Sequence, residues 1–536
     1  MSDKEFNLLD EQWIRVIDRD CNIMEVSLIQ LFRDAHIFKD LCGELPTQDF
    51  AVMRLLLAVL HTVFSRYDID GRASLLNDPD DALDRWAELW ENEKFPAEVI
   101  TEYLESQRES FYLFHPERPF YQCEHAKIGT EYSAAKLNGN LSESSNKVRL
   151  FPSASGKAKE VMSFSEAARW LIYVNAYDDT SAKPSSEAKK LGVKLPSPGV
   201  GWLGKLGLIS VSGNNLFETL TLNLVLQNEN GDLFGEEKPI WEQDRIPKGE
   251  RTLIPIPDNL SQLYTLQSRR LYLKRNGKNV IGYYLLGGDF FEKENGFIEP
   301  MTIWKKTDSR TAEIYVPNRH DVSKQFWRNF SVFIQQADDV HRPGIVSWID
   351  KLESEDLLKD QILNVRIASV QYGDKDFFVM NVFADSLQMH ASLLSEMSCE
   401  WQKVILDSVE FCDNISKIIW SLAKNVNLAE GGDFVPKENK CSARVFANKL
   451  KSEFYNRIDA PFRKWLCMLN PETDDADEKE REWRGKCVRI ANELGEEIAK
   501  QAGSAAILGK VKETKIYSVA EAMNKFQYEL KVAKEL

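Results

Sequence analysis

The chain has no close pair of cysteines. Cys21, Cys42, Cys123, Cys399, Cys412, Cys441, Cys467 and Cys487 are scattered, which argues against the paired thiolates of a zinc site. Cys412 and Cys487 fall on apolar helix faces and read as core thiols. There is no H-E-x-x-H motif and no P-loop. No apolar run approaches the ~20 residues that a bilayer requires; the longest, 50–64, is broken by Arg54 and His61. The opening MSDKEFNLLDE lacks the basic-then-apolar layout of a secretory signal. A cytoplasmic protein without a membrane span is therefore expected. No histidine stands beside a serine or cysteine in a familiar catalytic arrangement: His61, His320, His341 and His390 belong to different elements. Asp338-Asp339-Val340-His341 reads as an exposed turn rather than a metal site. Neither a catalytic centre, a cofactor nor a metal is expected.

Positive charge is also scarce. The net charge of −15 speaks against nucleic acid, but the distribution changes that reading. Residues 386–536 hold 23 basic and 24 acidic residues, so most of the negative excess lies in the rest of the chain. Residues 440–464 hold seven basic residues, Arg444, Lys449, Lys451 and Arg457 among them, against Glu453 and Asp459. Screening limits distant charge to a reach of ~8–10 Å, so a local positive face binds phosphates even on an acidic protein. The same run also fits a solvated helix face.

With 43% hydrophobic residues the composition is that of a globular protein. The chain reads as α+β: a large mixed domain over 1–384, then a four-helix bundle over 385–536. Residues 13–26 suggest a hairpin. A helix is expected after Pro46, with Thr47 as its cap, and another over 163–177. Residues 129–160 read as a long surface loop. Residues 205–385 read mainly as strands, most clearly a hairpin over 270–286 turning at Asn276-Gly277. This hairpin carries Arg269, Arg270, Lys274, Arg275 and Lys278 with no acid between 259 and 288. It fits a DNA-facing or RNA-facing element, or an edge guarded by charge. In the bundle, apolar stripes run from Leu387 through Met397 to Ile419, along Val445, Leu450, Phe454 and Ile458, along Trp483, Cys487, Ile490, Leu494 and Ile498, and along Val519, Ala522, Phe526 and Leu530.

Gly199-Val200-Gly201-Trp202-Leu203-Gly204 matches G-x-G-x-x-G. A dinucleotide fold needs an apolar strand just before it, and Pro196 and Pro198 exclude an interior strand there. The glycines still allow a close backbone approach to a ligand; a plain tight turn is the alternative.

Several stretches together resemble the CasA family, the large subunits of type I-E CRISPR surveillance complexes (Cascade). They are Phe6–Ile14, Glu25–Leu28, Leu45–Phe50 with Arg54–Ala58, the glycine segment 198–225, and YTLQSRR at 264–270. Their order and spacing agree over nearly the whole chain. The resemblance implies a non-catalytic subunit that reads the motif flanking a target (the PAM) from the minor groove of duplex DNA. It also implies help in parting the strands to form an R-loop, and recruitment of a helicase–nuclease in antiviral defence. Implied partners are the other Cascade subunits, guide RNA, target DNA and that nuclease. Carried over residue by residue, it assigns the glycine loop to Gly199, Val200, Gly201 and Trp202. A lysine finger falls at Lys293, before Asn295-Gly296. A strand-separating wedge falls near Tyr372–Asp376, where some relatives have a glutamine that this chain lacks; Lys375 is the implied contact, and Asp376 would repel phosphates. Arg149, Leu150 and Phe151 are the implied contact with guide RNA and backbone subunits. Some relatives carry a cysteine cluster that is absent here, which implies no zinc. A pure scaffold, or an enzyme with an unrecognised site, are the competing functions.

Overall fold

The structure is a computed structural model that describes residues 4–143, 152–180, 199–243, 246–307, 312–334, 341–358, 361–435, 440–512 and 515–535. The chain divides into two compact units. One comprises Met1–Ser323, Gln335–Leu358 and Leu363–Ser386; the other comprises Lys324–Ile334, Lys359–Ile362 and Leu387–Leu536.

The first unit is built around the helix Pro46–Phe64, buried along nearly its whole length. By length and composition this helix passes for a membrane span, yet protein covers it. Pro46 opens it because the first helical turn needs no amide donor. The expected cap at Thr47 is not made: Leu45 occupies the cap position without a side-chain bond, and the Thr47 hydroxyl is buried without a partner. Arg54 projects from this helix into a two-pronged pair with Glu299, at 2.7 and 2.8 Å. Both side chains are almost fully buried, 1% and 0% exposed. Such a pair ties distant segments together, because either charge alone in the core would be strongly unfavourable.

Ile14–Asp18 pairs with Ile23–Val26 as the expected hairpin and with Phe38–Leu41 on its other side. The helix Phe164–Tyr177 begins with a capping box between Ser163 and Glu166. The basic hairpin forms from Arg269–Asn276 and Asn279–Gly287. Its two-residue turn is Gly277-Lys278, one residue later than expected, with the positive φ at Gly277. A third strand, Thr130–Ser133, joins this sheet and leads into the short helix Ala134–Leu137. Part of the expected surface loop over 129–160 is therefore ordered structure. Its Lys136 is buried against Asp179 at 2.9 Å, a partner that local sequence does not reveal. A separate sheet places Leu208–Ser212 beside Ile362–Tyr372, which also borders Val379–His390.

In the second unit, Cys399–Ala429 packs against Ser442–Cys467, Ala476–Gln501 and Val519–Glu535. Phe454, Ile458, Trp483, Cys487, Leu494, Phe526 and Leu530 are buried, as the stripes require. The first helix starts later than expected. Leu387 lies on a strand and Leu394 in a 3-10 turn, and Met397 is 82% exposed. The Ser395 side chain accepts from the Met397 amide, closing a separate turn before the helix. Val445 is exposed as well; Ala443 and Ala447 take the buried face of the second helix. Trp327, from Lys324–Ile334, stacks on Phe462 at 4.2 Å.

Candidate nucleic-acid interface

The site begins where the helix Phe164–Tyr177 ends. The Gly201 amide donates to the Asp178 carbonyl at 3.0 Å. A Cβ on Gly201 would stand 2.3 Å from the Ala176 carbonyl oxygen, so only glycine fits against this helix end. Gly199 has φ +81, the left-handed region, with open space where a side chain would project. After Gly201 the chain makes a 3-10 turn, Trp202–Lys205, and then a strand. No helix opens at the glycines, so the dinucleotide-binding geometry is missing.

Trp202 is the loop's anchor. Its ring is 3% exposed, its Nε1 donates to Glu299 at 2.7 Å, and its amide donates to the Ser268 hydroxyl at 3.1 Å. The expectation that Trp202 contacts DNA directly is corrected accordingly. Arg269 and Arg270 are corrected in the same way: both are fully buried and cannot face DNA. Arg269 donates to the Asp178 carboxylate at 2.7 Å and to the Gly199 carbonyl at 2.8 Å. It thereby clamps the glycine loop to the helix end. Arg270 donates to Asp289 and to the Pro247 carbonyl.

Gly199, Val200, Lys205, Lys293, Arg319 and Asp376 line one cleft of about 720 Å³. Three stretches singled out in the sequence, far apart along the chain, thus come together. Lys293 is exposed in the turn after Asp289–Phe291, and its ammonium has no partner among the described residues. That turn is held at Asn295, whose φ is +50 and whose amide donates to the Tyr315 carbonyl. Lys205 lies between the Trp202 and Phe290 rings, its ammonium 5.5 and 5.3 Å from their centres. Burial, and then the nearby positive charges of Lys293 and Arg269, push its pKa down to about 8.

Asp376 does not stand free to repel phosphates. Arg319 grips its carboxylate at 2.7 and 3.1 Å, donates to the Gly204 carbonyl at 2.7 Å and lies over the Tyr372 ring. The turn at 374–376 is further held by Thr180, whose hydroxyl donates to the Lys375 carbonyl at 2.7 Å. Lys375 is exposed, with φ +54. Beside it Phe377 and Met380 are 46% and 60% exposed, an apolar tip that sequence reasoning missed. Their neighbourhood to the glycine motif exists only in three dimensions; so does the role of Arg319. Lys205, three residues past Trp202, was within view of the motif and was missed.

Elsewhere, Lys274 pairs with Glu131 and Arg275 with Glu5, each at 2.5 Å. The hairpin's positive charge is thus partly answered by acids distant in sequence. In the helical unit Arg457 pairs with Glu453 and Glu497, and Arg444 lies over Phe434. Lys449 is exposed and Lys451 half-exposed, and neither has an ion pair among the described residues. Arg149, Leu150 and Phe151 lie outside the described residues. Among the described residues no three histidine, cysteine or carboxylate side chains converge as a metal site would need.

The fold defines a class: an α+β chain with a long C-terminal helical region, and a cleft in the α+β unit lined by Lys205 and Lys293, neither in an ion pair among the described residues. The crystal structure of Thermobifida fusca Cse1 has this fold, at 30% identity and a TM-score of 0.84, over 99% of this chain and 98% of that one. The CasA/Cse1 protein of Thermus thermophilus is 29% identical over 371 residues, 68% of this chain and 66% of that protein's own length. The chain thus spans just under two thirds of this curated relative. The fold recurs in a chain of a CRISPR RNA-guided surveillance complex, at 14% identity and a TM-score of 0.70, over 98% of this chain and 99% of that one. The family model for CRISPR-associated protein Cse1 matches residues 7–494, and the chain belongs to that family. The resemblance to CasA proteins is borne out.

Proposed function

We propose that the chain is the large, non-catalytic subunit of a type I-E CRISPR surveillance complex, and that it reads the motif flanking a target in duplex DNA. Family membership supports this reading. The observation that carries it is the cleft in which the glycine loop, Lys293 and the Asp376 turn meet. Guide RNA supplies sequence specificity by base pairing, which leaves the protein a short flanking motif to read. The minor groove is narrow and distinguishes chiefly A·T from G·C. A backbone loop is the slimmest probe for it, and the unpaired Lys293 enters beside that loop. The tip with Phe377 and Met380 acts as the wedge. Unstacking a base step costs about a few kcal/mol, which contacts in the cleft must offset. Lys375 meets a phosphate, while Asp376 fixes the turn through Arg319.

Arg149, Leu150 and Phe151 meet the guide RNA and neighbouring subunits. Lys449 and Lys451, with Arg444 and Arg457, face the displaced strand. The subunit then helps to recruit the helicase–nuclease. It works in the cytoplasm and needs no cofactor. The test is binding of guide-loaded complexes, with and without this subunit, to duplexes with randomised flanking bases. A flanking preference that appears only with the subunit supports the reading. The same preference without it leaves a scaffold.

A further inference from the structure

Lys205 is a long cation without an ion pair among the described residues. Its side chain is half-buried beneath the glycine loop, with Cε 3.9 Å from where a Cβ on Gly199 would sit. The groups around it come from four elements. The Trp202 and Phe290 rings flank it, and Lys293, Arg269 and Arg319 add positive charge. Arg269 is committed to Asp178 and Arg319 to Asp376. Glu292 is the one acid that favours the ammonium; it is exposed, and it accepts from the Lys293 amide of its own turn. No carboxylate or carbonyl receives the Lys205 ammonium among the described residues, and the amides of Gly199 and Val200 likewise have no acceptor there. A partly buried ammonium without a counter-charge is unfavourable in the free protein, and an arriving anion removes that penalty.

We propose that Lys205 is a phosphate-binding residue of the cleft: with Lys293 and the free amides of the glycine loop it receives one backbone phosphate of the flanking duplex. The inference rests on the proposed reading of flanking DNA and adds a residue to it. A backbone phosphate carries no base identity, so this contact sets register and affinity rather than motif choice. It also couples binding to pH. The phosphate favours the protonated lysine, so affinity is full below about pH 7 and falls as pH rises past 8, by about fivefold at pH 9.

The experiment uses guide-loaded complexes carrying wild-type subunit, Lys205→Met or Lys205→Arg, and a complex lacking the subunit. Binding to one target duplex with its preferred flank is measured against salt and between pH 7 and pH 9. Methionine keeps the apolar stem between the rings and removes the charge. Lys205→Met is expected to lose about tenfold in affinity, to lower the salt slope by about one and to leave thermal stability unchanged or raised. Lys205→Arg is expected to keep the affinity and lose the fall between pH 7 and pH 9. If Lys205→Met binds as wild type with the same slope, while removal of the subunit abolishes flank-dependent binding, the inference is wrong and the broader reading stands. Loss in both variants with lowered melting temperatures would assign Lys205 to packing and overturn the proposal. If binding is the same without the subunit, the broader reading falls and takes this inference with it.

Discussion

Gly199 and Gly201 sit two residues apart in one motif, yet the structure gives them different jobs, and alanine at each should separate them. At Gly201 a Cβ meets the Ala176 carbonyl at 2.3 Å and its carbon at 2.5 Å. Both are backbone atoms of a buried helix end and cannot swing aside. Overpacking of this kind costs about 1–3 kcal/mol. The shift also strains the Gly201 bond to Asp178, whose loss adds about 1 kcal/mol. Gly201→Ala should therefore lower stability by about 2–4 kcal/mol. At Gly199 the nearest atom is the Lys205 Cε at 3.9 Å, so the penalty is the positive φ alone, about 1–2 kcal/mol. Chemical denaturation of the purified subunit gives the two values, and binding of guide-loaded complexes to flanked duplexes gives their effect on recognition. Gly201→Ala should be the worse variant in both assays, because it pushes the loop off the clamp that Arg269 and Asp178 provide. Equal effects, or a worse Gly199→Ala, would refute the idea that close packing on the helix end positions the loop.

Arg54→Met should destabilise by about 3–5 kcal/mol, because it strands the Glu299 carboxylate in the core; adding Glu299→Gln should recover part of that loss in the same denaturation assay, because the neutral amide still accepts from the Trp202 indole. Asp49 is half-buried, and desolvation raises its pKa to about 7. Its folded form holds a proton that the unfolded chain releases, so its contribution to stability is present at low pH and fades as pH rises from about 4 to 7; Asp49→Asn should flatten that part of a stability–pH curve. Asp376→Asn removes the charge that answers Arg319 and should strengthen flank-independent DNA binding at low salt while weakening the preference between flanking sequences. Both effects are read by titration of the assembled complex.

The bundle was legible because a 3.6-residue period survives in a linear string: Phe454, Ile458, Trp483, Cys487, Phe526 and Leu530 share helical spacing and are buried. Caps at Ser163, Asp475 and Ser518 are likewise local signals, each made with the amide three residues on. The start of the first bundle helix was misplaced because the apolar spacing of Leu387, Leu394 and Met397 continues the helical period by coincidence, across a strand end and two short turns. Arg269 and Arg270 were misread for another reason. Counting charge along a hairpin shows no acid, but Asp178 and Asp289 arrive from outside the counted window. Asp376 looked like a free acid because Arg319 is distant in sequence. Ion pairs between remote segments leave no local trace, and at this site they decide which cations remain available.

The most direct measurement places a photoreactive aromatic residue at position 377, where Phe377 is exposed at the tip, and crosslinks the guide-loaded complex to target duplex. If the tip parts the strands beside the flanking motif, crosslinks should map to the first base steps between flank and target, and should weaken when Lys293 is replaced by alanine. Crosslinks confined to guide RNA or to other subunits, with none at those base steps, would contradict the account.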